Sequence, residues 1–269
     1  MPVAIINGID LYYEHCGSGP PVLLIMGLGA PLEGWTPQLS VLSQQHQVCV
    51  FDNRGIGRSA APPAPYSMDT LAADALGLMD RMNWPRAHIV GLSMGGMIAQ
   101  RMALTAPERV CSLTLMATHA GGRQALPTQT AVRGILRTRF FGDRGARERN
   151  LVRMLHAQAY IDSVGMETIL HNIRTRMLQH PRPLGGFIGQ LSATLRHSAL
   201  QELPSLRGRF PALVIVGSAD RMVRPANSKQ LAEALGAELL WLERGGHAIH
   251  VEEHAAINAA LLQLFERAT

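Results

Sequence analysis

Residues 91–96 read Gly91-Leu92-Ser93-Met94-Gly95-Gly96, directly after the apolar run Ala87-His88-Ile89-Val90. The pattern Gly91-x-Ser93-x-Gly95 is what a strand needs in order to turn at once into a helix with a serine at the apex. At such a turn the serine sits at strained backbone angles with its hydroxyl outward. The backbones two residues before and after it come so close that only glycine fits. The N–H of Met94, at the start of the following helix, is left free to meet negative charge formed beside the serine. A glycine-rich turn that happens to carry a serine has the same letters. The strand in front and the helix behind separate the two readings.

A serine placed this way needs an acid and a base from elsewhere in the chain. Pro211-Ala212-Leu213-Val214-Ile215-Val216-Gly217 is a short apolar run of the kind found in buried parallel strands, and Asp220 lies just past its end. A second run, Glu238-Leu239-Leu240-Trp241-Leu242, ends at Glu243-Arg244-Gly245-Gly246-His247. The 27 residues from Asp220 to His247 hold a helix, Asn227 to Leu235, and that second strand. Both side chains are therefore expected on the sheet edge that carries Ser93. His247 would take the serine proton and return it to the leaving group, and Asp220 would orient the imidazole. Taken singly, an aspartate there caps a turn and a histidine there is a surface residue. His250 and His254 fall inside the expected last helix, Ala248 to Phe265, whereas His247 precedes it behind two glycines.

Attack on a carbonyl makes an oxyanion, which calls for two backbone donors. Met94 N–H is one candidate. The other is Leu28 N–H, in Met26-Gly27-Leu28-Gly29 after the strand Val22-Leu23-Leu24-Ile25.

With these segments the chain resembles the α/β-hydrolase superfamily over essentially its whole length. The likeness is carried by Met26 to Gly29, by Phe51-Asp52-Asn53-Arg54-Gly55-Ile56-Gly57-Arg58-Ser59, by Gly91 to Gly96, by Gly217 to Asp220, and by Gly246-His247. The resemblance implies an oxyanion loop, a scaffolding turn, and a nucleophile, acid and base in the chain order Ser93, Asp220, His247. Many relatives have His-Gly where this chain has Met26-Gly27, a change that leaves the backbone donor in place. The chain is similar in this respect to aclacinomycin methylesterase-like proteins and to enol-lactonase-like hydrolases. Dehalogenases and epoxide hydrolases of this fold use aspartate where this chain has Ser93. The expected activity is cleavage of carboxylic esters of small to medium apolar substrates through an acyl-serine. Lactone, thioester or carbon–carbon bond cleavage, and a non-catalytic ligand-binding relative, stay open alternatives.

Composition fits a well-buried sheet. The 269 residues are 47% hydrophobic and 17% charged. The net charge of +5 comes from dispersed arginines, Lys229 being the single lysine, so no nucleic-acid partner is expected. Gly27-Leu28-Gly29 lacks the spacing of a dinucleotide fingerprint. No apolar stretch reaches membrane-span length, and no basic segment precedes an apolar run at the start, so neither membrane nor signal peptide is expected. Cys16, Cys49 and Cys111 have no ligand spacing; the last two read as buried small hydrophobes and fit a cytoplasmic protein. The scattered histidines form no metal pattern. The expected partner is a small-molecule ester, with no cofactor and no metal, and a homodimer is left open.

The predicted architecture is an α/β hydrolase fold: a mostly parallel eight-stranded sheet flanked by helices, with a helical cap inserted after the sixth strand. A hairpin turns at Asn7-Gly8. Strands follow at Val22 to Ile25, Val48 to Phe51, Ala87 to Leu92 and Cys111 to Met116, with helices at Trp35 to Leu42, Met68 to Met82 (capped by Ser67 or Asp69) and Gly95 to Ala106. The core is assigned to 1–120 and 205–269 and the cap to 121–204. In the cap, Val132, Ile135, Leu136 and Phe140 share one face, and Leu151, Met154 and Leu155 another. Met154, Phe140, Phe187, Ile188 and Leu191 are pocket candidates, as are Leu28, Met94, Met116 and Met222 beside the catalytic edges. His119 either faces that pocket or packs beneath it.

Overall fold

A computed structural model describes residues 3–122 and 129–268. Eight strands form one sheet: β1 (Val3–Ile6), β2 (Ile9–Cys16), β3 (Pro21–Ile25), β4 (Gln47–Phe51), β5 (Ala87–Leu92), β6 (Val110–Met116), β7 (Ala212–Gly217) and β8 (Glu238–Leu242). Their order is β1-β2-β4-β3-β5-β6-β7-β8. The two pairings of β2 are antiparallel and all others parallel. Every residue of β5 is buried, as expected for a strand covered on both faces.

Helices cover both faces because strand side chains alternate. On one face, Leu23, Ile89, Leu113 and Leu115 pack against α2 (Met68–Arg81) and α3 (Met94–Thr105), joined by Leu231 and Leu235 of α9 (Pro225–Leu235). On the other, Leu24, Val90, Met116 and Ile215 meet Leu42 of α1 (Thr36–Leu42) and Ile257, Leu261 and Phe265 near the C-terminus. Each such Leu or Ile stabilises the fold by roughly 1.5–3 kcal/mol. The start of α2 is set by Ser67, whose hydroxyl accepts from Thr70 N–H at 3.0 Å. Cys49 is buried, but Cys111 is only half-buried.

Between β6 and β7 lie α4 (Gln129–Phe140), α5 (Arg144–Leu155), α6 (Gln158–Val164), α7 (Met166–Arg176) and α8 (Leu184–Arg196). The side chains of Val132 and Phe140 lie outside the described residues. Val152, Ile161, Ile169, Leu170 and Ile173 give α5 to α7 a small apolar core of their own. The chain leaves the sheet and returns at one neck, where Ala199 N–H donates to Ala120 O and Gly121 bridges Ser198. A Cβ on Gly121 would lie 2.0 Å from His197 O, so the crossing needs glycine there.

The expected last helix, Ala248 to Phe265, is two helices instead: α10 (Ile249–Glu252) and α11 (His254–Glu266). Glu253, between them, leaves helical geometry at φ −116°, ψ 33°. Among the described residues, no helix is long and apolar enough to cross a membrane.

Candidate active site

The strand order reverses direction between β3 and β5, and open α/β sheets bind ligands at the carboxyl edge of such a reversal. Ser93 stands there at φ 55°, ψ −118°, a region that costs a non-glycine residue on the order of 1–3 kcal/mol. The turn is held from both sides: Ser93 N–H donates to Met116 O at 2.8 Å, and Thr118 Oγ1 donates to Ser93 O at 2.7 Å. A Cβ on Gly91 would approach Gly95 O to 2.3 Å, and one on Gly95 would approach Ile25 O to 2.0 Å.

The three polar residues meet across the sheet edge. His247 Nε2 is 3.0 Å from Ser93 Oγ, and His247 Nδ1 is 2.9 Å from Asp220 Oδ2. The Asp220 side chain is fully buried, and its Oδ1 accepts from the N–H groups of Met222 and Val223 at 2.8 and 3.0 Å. With both oxygens held, the carboxylate presents one fixed edge to the imidazole.

Leu28 and Met94 flank Ser93. Gly27 lies so near that a Cβ there would be 3.7 Å from Ser93 Oγ, which brings the Gly27–Leu28 peptide beside the hydroxyl. Met94 is the first residue of α3. Neither Leu28 N–H nor Met94 N–H has an acceptor among the described residues. The loop carrying Leu28 is fixed by Asp52 and Asn53 of the expected scaffolding turn and by Gln190, which sequence reading did not single out. Asn53 Nδ2 donates to Met26 O, Leu32 N–H donates to Asp52 Oδ1, and Gly29 N–H donates to Gln190 Oε1. Gln190 sits on α8 and its Nε2 donates to Arg54 O, so one side chain from the helical segment holds two core loops.

Glu252 was also not singled out. Its buried carboxylate accepts from Gly246 N–H at 2.7 Å, beside His247, and from Ala157 N–H at 3.1 Å, with His156 Nδ1 at 3.0 Å. Ala248 N–H donates to Leu155 O. The loop of His247 is thereby bonded to the junction of α5 and α6.

A cavity of about 420 Å³ opens over Ser93 and His247. Leu28, Met94, Met154, Phe187, Leu191 and Met222 line it, as expected, and so does His119. Met116 does not. It is the last residue of β6 and points into the opposite apolar layer, fully buried against the C-terminal helix side. Ile188 is 48% exposed on the outer face of α8, and Leu136 is likewise turned outward. Arg176, Arg182 and Glu33 also reach the cavity wall. Burial pushes the rings of His119 down to about 4 and of His250 and His197 to about 3; His119 and His250 are the two that lie close enough to act on His247.

The chain belongs to the α/β hydrolase fold family, whose model matches residues 20–157; a serine hydrolase model matches residues 163–266. A relative from Azorhizobium caulinodans that carries the name carbamate hydrolase RutD is 41% identical over 116 residues, which are 43% of this chain and 44% of that protein. The match thus spans less than half of that relative. Rhodomycin D methylesterase DauP of a Streptomyces species is 28% identical over 97% of both chains. Among solved structures, the enol-lactonase from Burkholderia xenovorans LB400 superposes with a TM-score of 0.85 at 28% identity, covering 98% of this chain and 100% of that one.

Proposed function

We propose that this hydrolase cleaves carboxylic esters through an acyl-serine. The observation that carries the reading is the unbroken hydrogen-bonded line from Asp220 through His247 to Ser93, ending at the floor of an apolar cavity. Ser93 Oγ attacks the ester carbonyl while its proton passes to His247 Nε2. The carbonyl oxygen gains charge and is met by Leu28 N–H and Met94 N–H. As the C–O bond to the alcohol breaks, His247 returns the proton to the departing oxygen. Water, deprotonated by the same imidazole, then releases the acid and restores Ser93. Asp220 keeps the ring in the tautomer that makes these transfers and stabilises the imidazolium. A cyclic ester enters the same sequence, and the likeness to an enol-lactonase makes lactones the second class to assay.

The wall formed by Leu28, Met94, Met154 and Phe187 suits a neutral, apolar chain, because an acyl carboxylate there is desolvated. Arg176 and Arg182 are the groups able to reverse that preference. Neutral esters of increasing length assayed beside dicarboxylate half-esters decide between them, and higher kcat/KM for the half-esters counts against an apolar pocket. For the chemistry itself, an aryl ester should give a burst of leaving group with mass gain on Ser93. Ser93→Ala should lose turnover by on the order of 10⁶. A Ser93→Ala protein of near-normal rate ends the acyl-serine reading.

A further inference from the structure

His119 is a cavity residue that the acyl-serine chemistry leaves unused. It follows β6 and shares the cavity with Ser93 and His247. Its ring is held in a defined way. Nδ1 accepts from Gly121 N–H at 3.1 Å, two residues along the same chain. A ring nitrogen that accepts carries no proton, so the proton of the neutral imidazole sits on Nε2. Burial, with His247 nearby, pushes the ring down to about 4, so it stays neutral near pH 7.

The support behind it is equally fixed. His119 O accepts from Gln100 Nε2 at 3.1 Å. Gln100 Oε1 lies 3.1 Å from His197 Nε2, and both of these side chains are buried. The amide can only accept through Oε1, so His197 donates there. The direction of each bond in the series is therefore set. The Nδ1 edge of His119 is turned to its own backbone, which leaves the Nε2 edge for the cavity. Among the described residues, none accepts from that Nε2–H.

We propose that His119 is a specificity-determining residue whose Nε2–H donates to a second, neutral carbonyl oxygen of the substrate, and that the preferred substrates are esters or lactones bearing such a carbonyl. This rests on the serine-hydrolase reading. An oriented neutral donor on a largely apolar wall discriminates strongly, because a substrate lacking the acceptor buries the N–H unpaired. A neutral ring brings no charge, so a ketone or amide oxygen suits it better than a carboxylate.

The test compares wild type, His119→Asn and His119→Gln. Asn keeps an oxygen that can accept from Gly121 N–H and lacks the outer donor; Gln restores a donor near the Nε2 position. One set of substrates is ethyl hexanoate and ethyl oxohexanoates with the ketone moved along the chain. The other is hexyl acetate and the matching oxohexyl acetates. The two sets distinguish an acceptor on the acyl side from one on the alcohol side. The quantity read is kcat/KM for each oxo ester divided by that for its parent, which cancels general damage. For at least one ketone position the ratio should fall about tenfold in the Asn variant and recover in the Gln variant. A ratio unmoved at every position in both sets overturns the assignment while leaving the hydrolase reading intact. Failure of wild type to cleave either parent ester removes the hydrolase reading and this inference with it. Nitrogen NMR of histidine-labelled Ser93→Ala protein, which does not turn the esters over, asks the same question with His119 intact. The His119 Nε2–H signal should shift with an ethyl oxohexanoate and not with ethyl hexanoate, and equal response to both overturns the proposal.

Discussion

Asp220 divides its carboxylate, with Oδ2 toward the imidazole and Oδ1 toward two backbone donors. Asp220→Asn retains the shape but can present an amide to His247 Nδ1, which favours the wrong tautomer. Turnover of an aryl ester should fall on the order of 10⁴ with little change in melting temperature. If another carboxylate variant is silenced while this one stays active, the acid lies elsewhere. Gly95 makes a different kind of demand. A methyl group there lies 2.0 Å from Ile25 O and 2.9 Å from Met26 O, both backbone atoms with little room to yield. Gly95→Ala should destabilise the fold by about 1–3 kcal/mol or more in denaturant melts, and should lower activity by shifting Met94 N–H. Such constraints explain what was legible. Ser93 shows in the sequence because its turn forces glycines at fixed spacing, and Asp220 and His247 show because apolar runs end just before them. Gln190 and Glu252 act on backbone groups 136 and 95 residues away, and backbone partners leave no pattern of residue types.

Elements were legible in proportion to how far local rules decide them. The buried strands stand out as apolar runs between turn residues, and their observed limits differ from the expected ones by a residue or two. The division of the last helix was not legible. It depends on Glu252 turning back to Gly246, Ala157 and His156, a contact between elements distant in sequence. Within the helical segment, periodicity gave helices but could not tell a face on the cavity from one on solvent, hence Ile188. Glu252→Gln tests the bond between these elements. The carboxylate accepts from two backbone N–H groups on different oxygens, and an amide can accept through only one. Leaving one buried donor unpaired should cost about 1–3 kcal/mol in unfolding measurements. The slackened His247 loop should lower kcat for every ester alike, whereas an unchanged kcat would make Glu252 a contributor to stability alone.

At the scale of the whole molecule, burial lowers the pKa of five histidines among the described residues, His46 and, further down, four others. His88, between Ser112 and Phe265, and His119 are pushed down to about 4, and His197 and His250 to about 3, from an ordinary 6.5. The unfolded chain takes protons at these sites below about pH 6.5, while the folded chain refuses them until about pH 4 or lower. Proton uptake on unfolding means that stability from these groups is fully present above pH 6.5 and is lost as the pH falls through that window. Urea midpoints should therefore drop steadily from pH 7 to pH 4.5. A flat profile would mean that these rings are protonated without cost.

The hydrogen bond between Ser93 and His247 spans 154 residues of chain. On a translating ribosome the serine therefore emerges well ahead of the histidine proposed as its base. At synthesis rates of about 5–20 residues per second the delay is roughly 8–30 s. Throughout that interval the nascent chain carries Ser93 without His247, the imidazole proposed to deprotonate it. On the proposed mechanism Ser93 thus stays unactivated until the last strand and the loop behind it have joined the sheet.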